Sequence, residues 1–189
     1  MPVPDSPAGA ERSVSDVRIE LHTGSRDDLR PLFELAEDSA AQLDSYLHEG
    51  RVLVALAGDE VIGHLQLVGS DRPGVLEIKN MAVRESRQGR GTGRLLVRAA
   101  IALAGSEGRA TVRVATAAAD VGNLRFYQRQ GFRMRAVDRD AFTPATGYPE
   151  PIVIAGIPLR DRVWLDYDLG TSTGRGASGA DRPAPDGSG

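Results

Sequence analysis

The run Gln88-Gly89-Arg90-Gly91-Thr92-Gly93 constrains this chain more than any other six residues. An apolar, strand-like segment at 75–83 leads into it. A helix-like segment at 94–103 leads out, with Leu95, Leu96, Ala99 and Leu103 at helical spacing. Strand, glycine-rich turn and helix in that order have a physical consequence. The first N–H groups of a helix have no partner inside it, and the helix dipole turns its positive end to the same place. Glycines let the backbone approach an anion with no Cβ in the way. Together these predict an anion site built from backbone and a ligand that carries phosphate.

What the run lacks narrows the ligand. A Walker A loop needs GxxxxGK[ST], and no lysine follows these glycines. A dinucleotide fingerprint needs GxGxxG early in a βαβ unit. Here the spacing is G-R-G-T-G, and a hairpin-like pair of strands precedes it. From the run alone, a tight turn and helix start with no ligand also stays open.

Composition removes further classes. A length of 189 residues with 41% hydrophobic content predicts one domain with a sizeable core. A net charge of −3 argues against non-specific nucleic-acid binding. The absence of cysteine excludes disulfides, thiolate metal sites and a cysteine nucleophile. His22, His48 and His64 are scattered and form no HExxH-like cluster, so no metal site is expected. No apolar run reaches the roughly 18 residues that a membrane span requires. The start, MPVPDSPAGAERS, lacks the apolar core of a signal peptide, so a cytoplasmic protein is expected.

Residues 1–15 and the tail 170–189 are rich in Pro, Gly, Ser and Ala and read as disordered, leaving a folded domain over 16–169. VRIEL at 17–21 alternates as a strand. Asp27 or Asp28 is placed to cap a helix through Leu29, Leu32, Phe33 and Ala36. A second helix over 40–48 ends at Gly50. Residues 52–56 and 61–68, joined by Gly58-Asp59, read as a hairpin, and Pro73-Gly74 turns into 75–83. TVRVAT at 111–116 is a strand, and 123–130 is a helix stopped by Gly131. Segments 132–137 and 163–169 are the last strands. The order β-α-α-β-β-β-α-β-α-β-β predicts a mixed α/β sheet.

Two stretches carry a family resemblance. Glu77-Ile78-Lys79-Asn80-Met81-Ala82-Val83, followed by Gln88-x-x-Gly91-x-Gly93, resembles the acyl-CoA motif of the GNAT N-acetyltransferase superfamily, [QR]-x-x-G-x-[GA]. Asn123-Leu124-Arg125-Phe126-Tyr127, closing on Gly131-Phe132, is similar to that superfamily's second cofactor motif. The resemblance covers nearly all of 16–169. It implies a mostly antiparallel central sheet with one splayed strand pair and helices on both faces. It also implies acetyl-CoA as cosubstrate, lying where the strand that ends near Val83 parts from the strand at 111–116.

By the same resemblance, backbone groups of Met81, Ala82 and Val83 pair with the pantetheine arm. The physical sense is sound, because a splayed strand has unpaired N–H and C=O groups that amides can satisfy. The N–H groups of Gln88, Gly89, Arg90, Gly91, Thr92, Gly93 and Arg94 would hold the pyrophosphate, with Arg87, Arg90 and Arg94 adding charge. The alternative for these arginines is a solvated helix start. Asn123 is a cofactor contact or a helix cap.

Acetyl transfer from a thioester to an amine needs a neutral amine and a protonated leaving thiolate. With no cysteine acyl-enzyme available, the resemblance points to direct attack in a ternary complex. Aliphatic amines have pKa values near ~10, so a base must take a proton, directly or through water. Glu77 is the candidate base, on the strand beside the gap. Its alternative is a carboxylate paired with Lys79, the only lysine, or with an arginine. Tyr127 is the candidate acid for the thiolate, one helical turn beyond Asn123. Its alternative is a core aromatic beside Phe126. His64 is expected to be a satisfied strand residue, and Trp164 to be core.

Residues 140–160 are too long for a plain connection and carry Phe142, Tyr148 and an apolar run, which predicts an ordered flap. A small hairpin is expected in it, 152–154 against 157–159, turning at Ala155-Gly156. In the resembled superfamily this region flanks the acceptor. Glu37, Asp38, Asp44, Asp140 and Glu150 then form an acidic rim for a small cationic amine. The flap and last strand are also similar to those of aminoglycoside-acetyltransferase-like members. Two other readings remain: acetylation of a protein N-terminus or lysine, which needs an open groove, and an acyl-CoA-binding regulatory module without catalysis. Members are often dimers, and the apolar last strand and flap offer a homodimer surface.

Overall fold

The computed structural model describes residues 17–37, 39–148 and 151–170. The segments expected to be disordered lie outside the described residues, Gly170 aside, as do Asp38 and Glu150 of the acidic rim. Seven strands form one sheet in the order β1-β2-β3-β4-β5-β9-β6. They are β1 (Val17–Leu21), β2 (Arg51–Ala57), β3 (Glu60–Gly69), β4 (Val75–Val83), β5 (Thr111–Ala117), β6 (Arg133–Asp138) and β9 (Arg162–Asp168). Every neighbouring pair is antiparallel except β4 with β5. That parallel pair requires a crossover, and α3 (Thr92–Ser106) supplies it.

Helices cover both faces. Leu96, Val97, Ala100 and Ala104 of α3 recur on one helical stripe and are fully buried against Leu65, Leu67, Leu76 and Val112 of the sheet. On the other face α1 (Arg30–Phe33) and α2 (Ala40–Tyr46) bury Leu32, Phe33 and Leu43 on Val52 and Val54. The first helix is short because its chain tightens into 3-10 turns at Asp27–Leu29 and Glu34–Ala36. Asp27 and Asp28 sit inside the first of these turns, and neither is the N-cap. Ser39 caps α2 by accepting from Gln42 N at 3.3 Å.

Strand β4 carries one irregularity. Gln66 pairs with Asn80 but Leu67 pairs with Ile78, so Lys79 is an extra residue with no partner on β3. Such a bulge changes which face the following side chains take. Leu76 and Ile78 belong to the core under α3, and Met81 and Val83 pack on the same core. Asn80 points to the other face, where it reaches Phe33 and Tyr46.

The segment after β6 is ordered around its own contacts. Thr143 and Thr146 form a capping box on a 3-10 turn at Pro144–Thr146. The expected hairpin is present, β7 (Val153–Ile154) against β8 (Ile157–Pro158). Phe142 N donates to Arg160 O at 3.0 Å, fastening the flap's start to its end. No helix among the described residues is long and apolar enough to cross a membrane.

Candidate active site

β4 and β5 are paired only from Val75 with Thr111 to Ile78 with Val114. Beyond that point β4 continues along β3, while Ala115, Thr116 and Ala117 continue along β9. Residues 79–83 are therefore left with one ladder edge unpaired among the described residues. A cleft of about 1090 Å³ opens where the strands part. Met81, Ala82 and Val83 line one side of it, and Gln88, Gly89, Gly91, Thr92, Gly93 and Arg94 line its end. Arg90 is exposed and lies outside this lining.

The turn is shaped by its glycines. Gly89 and Gly91 have φ of 72° and 87°, a region that side chains with a Cβ resist. Gly91 is the N-cap of α3 and offers no side-chain cap, so the first N–H groups of the helix are left for another acceptor. The helix starts at Thr92, two residues earlier than the apolar pattern suggests, which puts Thr92, Gly93 and Arg94 in its first turn. Gln88 Nε2 donates to Val83 O at 3.0 Å and ties the turn to the end of β4. Arg87 is engaged by Glu60 at 3.2 Å.

The facing wall is α4 (Val121–Arg129). It begins before Asn123, because Asp120 is the N-cap: Asp120 Oδ1 accepts Asn123 N at 2.8 Å and Oδ2 accepts Asn123 Nδ2 at 2.7 Å. Asn123 is thus in the first turn of the helix, not its cap, and it lines the cleft. Arg125 and Arg129 share the cleft-facing side four residues apart. They escape the sequence reading because both motifs end on glycines and aromatics. Arg94, Arg125 and Arg129 make no ion pair among the described residues. Three unbalanced cations, a bare helix start and a free strand edge fit a long ligand with phosphates at one end and amides at the other.

A second cavity of about 310 Å³ adjoins the first and shares Ala36, Met81, Asp120 and Asn123 with it. Glu77 and Tyr127 both line it. Glu77 sits opposite Arg113 in the β4–β5 register, and its Oε2 accepts Arg113 Nε at 3.0 Å and Nη2 at 2.8 Å. Oε1 is 3.9 Å from Lys79 Nζ. Tyr127 is buried, its ring edge-on to Phe126 at 5.0 Å and packed on Phe132 at 5.5 Å. Its hydroxyl has no hydrogen bond among the described residues. Burial pushes its pKa up, and the Asp120 charge adds to the rise. The ring belongs to the core, and the residue also lines the cavity.

The flap lines this cavity with Phe142, Tyr148, Ile154 and Leu159. The acidic rim shrinks on folding. Asp44 is taken by Arg30 and Asp140 by Arg160, and neither lines the cavity. Glu37 does line it. Trp164 is half-buried and lines the cavity instead of filling the core; its indole N–H donates to Asp138 Oδ2 at 2.7 Å. The ring carries the guanidinium of Arg113 at 4.7 Å and that of Arg162 at 5.9 Å.

Behind the cavity runs a buried polar chain. His64 Nε2 meets Asn80 Oδ1 at 2.9 Å, and Asn80 Nδ2 donates to Tyr46 Oη at 3.0 Å. Tyr46 Oη donates to Glu37 Oε2 at 3.1 Å. An amide oxygen accepts only, so the ring hydrogen of neutral His64 is on Nε2. His64 Nδ1 is buried without a partner. Burial lowers the His64 pKa to about 4, with Asn80 opposing the shift. His64 is therefore a strand residue satisfied on one nitrogen only.

Comparison with known proteins agrees with this geometry. The profile of the Acetyltransferase (GNAT) family matches residues 19–132. The chain is 40% identical over 157 residues to a Bacillus subtilis (strain 168) protein named Uncharacterized N-acetyltransferase YvbK, covering 83% of this chain and 99% of that one. A solved Bacillus subtilis acetyltransferase in complex with CoA superposes with a TM-score of 0.75 at 40% identity, over 81% of this chain and 99% of that chain. A GNAT family acetyltransferase from Elizabethkingia anophelis with acetyl-CoA bound gives a TM-score of 0.75 at 32% identity, over 82% and 99% of the two chains. A profile match spanning more than half of the sequence and a relative this similar along nearly its whole length make the assignment: the chain belongs to the GNAT acetyltransferase family.

Proposed function

We propose that this enzyme moves an acetyl group from acetyl-CoA to a primary amine of a small molecule by direct attack. Acetyl-CoA is the cosubstrate and supplies the activated acetyl group. The observation that carries the proposal is that Glu77 and Tyr127 line one cavity, joined through Met81 and Asn123 to the long cleft. The bare start of α3, with Arg94, Arg125 and Arg129, holds the phosphates. The free edge of Met81, Ala82 and Val83 pairs with the amide arm and aims it at the parting of the strands.

In the cavity, the amine nitrogen bonds to the carbonyl carbon and the carbon–sulfur bond breaks. Glu77 takes the amine proton through Oε1, directly or through water, since Oε2 is occupied by Arg113. Tyr127 gives its proton to the leaving sulfur. Its raised pKa keeps that proton in place at neutral pH and above. Water returns one proton and removes the other. The flap residues Phe142, Tyr148, Ile154 and Leu159 line the cavity, and its small volume of about 310 Å³ favours a small acceptor over a protein segment.

The test is free-thiol release from acetyl-CoA in the presence of a panel of small amines and of peptides with free N-termini. Thiol release with small amines supports the proposal. Release with peptides alone favours the protein-acetylating reading, and CoA binding by calorimetry with no release favours a non-catalytic acyl-CoA module.

A further inference from the structure

The polar groups of the acceptor cavity are unevenly satisfied. Its carboxylates have donors: Glu77 has Arg113, Glu37 has Ser39 N at 3.1 Å and Tyr46 Oη at 3.1 Å, and Asp120 has Asn123. The cation Arg162 does not. Its guanidinium is half-buried in the cavity wall, 5.4 Å over the ring of Phe142 and 5.9 Å over that of Trp164. It makes no ion pair among the described residues. Asp138 is its neighbour across the β6–β9 ladder, but gives Oδ2 to the Trp164 indole. The same Trp164 ring carries Arg113, whose charge is met by Glu77 and by Asp71 at 3.3 Å.

Rings that hold a guanidinium by its face leave its N–H edge free, and that edge matches a carboxylate in two-point geometry. A second cation, Lys79, lines the same cavity, 3.9 Å from Glu77 and 4.9 Å over the ring of Tyr46. Of the two cations in the lining, Arg162 is the one with no carboxylate within ion-pair distance among the described residues, while each lining carboxylate already accepts at least two hydrogen bonds or an ion pair. At about 310 Å³ the cavity is also at the small end of the range for ligand sites.

We propose that the acceptor bears a carboxylate as well as its reacting amine, is the size of an amino acid, and is selected by Arg162. This inference rests on the transferase reading above and narrows its substrate class. It turns away from a polycationic acceptor, because ion pairs take Asp44 and Asp140 out of the acidic rim such a molecule needs.

The test is a set of matched acceptors offered to the full chain with acetyl-CoA. Each set holds an α-, β- or γ-amino acid, its carboxamide and its decarboxylated amine, with aromatic and aliphatic side chains. In the best set the acid is expected to exceed its decarboxylated partner at least tenfold in kcat/KM, mainly through acceptor KM. In Arg162→Gln this ratio falls to within about twofold, and Arg162→Lys recovers part of it. A ratio measured within one preparation is independent of how much of it is folded. Decarboxylated amines or carboxamides that match the acids in every set overturn the role of Arg162 and leave the transferase intact. No thiol release from any acceptor, by protein that still binds CoA, overturns the transferase reading and this inference with it.

Discussion

Arg113 grips Glu77 through two N–H groups that converge on a single oxygen, Oε2, and so leaves Oε1 as the only atom of that carboxylate able to serve a substrate. The pairing is almost closed to solvent, with side chains 18% and 13% exposed. As the proposed base, Glu77 has two jobs, one for Arg113 and one for the substrate, and they can be separated. Glu77→Gln is expected to slow turnover at neutral pH by about 10²-fold or more, the usual scale of a lost general base. Raising the pH toward the amine's own pKa should restore part of the rate. It should not restore the stability lost by leaving Arg113 underpaired, about 1–3 kcal/mol in denaturant titrations. An unchanged rate at pH 7 removes Glu77 as the base.

Tyr127 offers the opposite case, a hydroxyl with no structural partner. Tyr127→Phe keeps the ring against Phe126 and Phe132, so stability should change by less than about 1 kcal/mol. Turnover should fall by about 10-fold or more while CoA affinity, read by calorimetry, stays within about twofold. Because burial raises the pKa, the wild-type enzyme should show no loss of activity from Tyr127 ionisation up to pH 9. Turnover of the variant within twofold of wild type from pH 6 to 9 ends the acid role.

On the donor side, the arginines are not equivalent. Arg94 lines the cleft and is exposed, so Arg94→Gln should raise the acetyl-CoA KM by roughly fivefold, about 1 kcal/mol, at low salt. The effect should shrink as ionic strength rises. Arg90 lies outside the cleft lining, and Arg90→Gln should do less at every salt concentration. Equal effects, or effects that ignore salt, would place the phosphates elsewhere.

His64 should give the fold a pH limit. Below pH 6.5 the unfolded chain takes up a proton at this residue, while the native chain refuses it until about pH 4. Stability therefore falls with falling pH across that window, by about 2 kcal/mol at pH 5 and about 3 kcal/mol below pH 4. Urea titrations at pH 7 and pH 5 measure it. His64→Gln should flatten that part of the slope, whatever it does to stability at pH 7.

The donor half was legible in the sequence because its signals are local. Glycines demanded by positive φ at 89 and 91, and an apolar stripe over one helix, sit within 15 residues of each other. The acceptor half is made of long-range pairs. Asp44 meets Arg30 and Asp140 meets Arg160, 14 and 20 residues apart, so carboxylates that read as a free rim are spent on folding. Trp164 read as core, but on β9 it alternates with the buried Val163 and Leu165, so its own side faces the cavity. Strand β9 slots between β5 and β6, an order no local pattern announces. Asp120 had a readable signal, an acidic residue three before Asn123, which is N-cap spacing.

The extra residue at Lys79 leaves one faint trace in the sequence: Lys79 and Asn80 are two polar residues in succession, which break the alternation of Leu76 and Ile78 before Met81. Its effect is that one strand furnishes two rooms. Before the shift, Glu77 lines the smaller cavity; after it, residues 81–83 line the long cleft, while Asn80 hydrogen-bonds to Tyr46, the donor to Glu37. Deleting a single residue here would reverse every side chain downstream to Val83, exchanging Asn80 with apolar neighbours in the core. The spacing of this strand is thus a gauge that fixes how far the two cavities stand apart, and it is set by counting residues, not by the identity of any one of them.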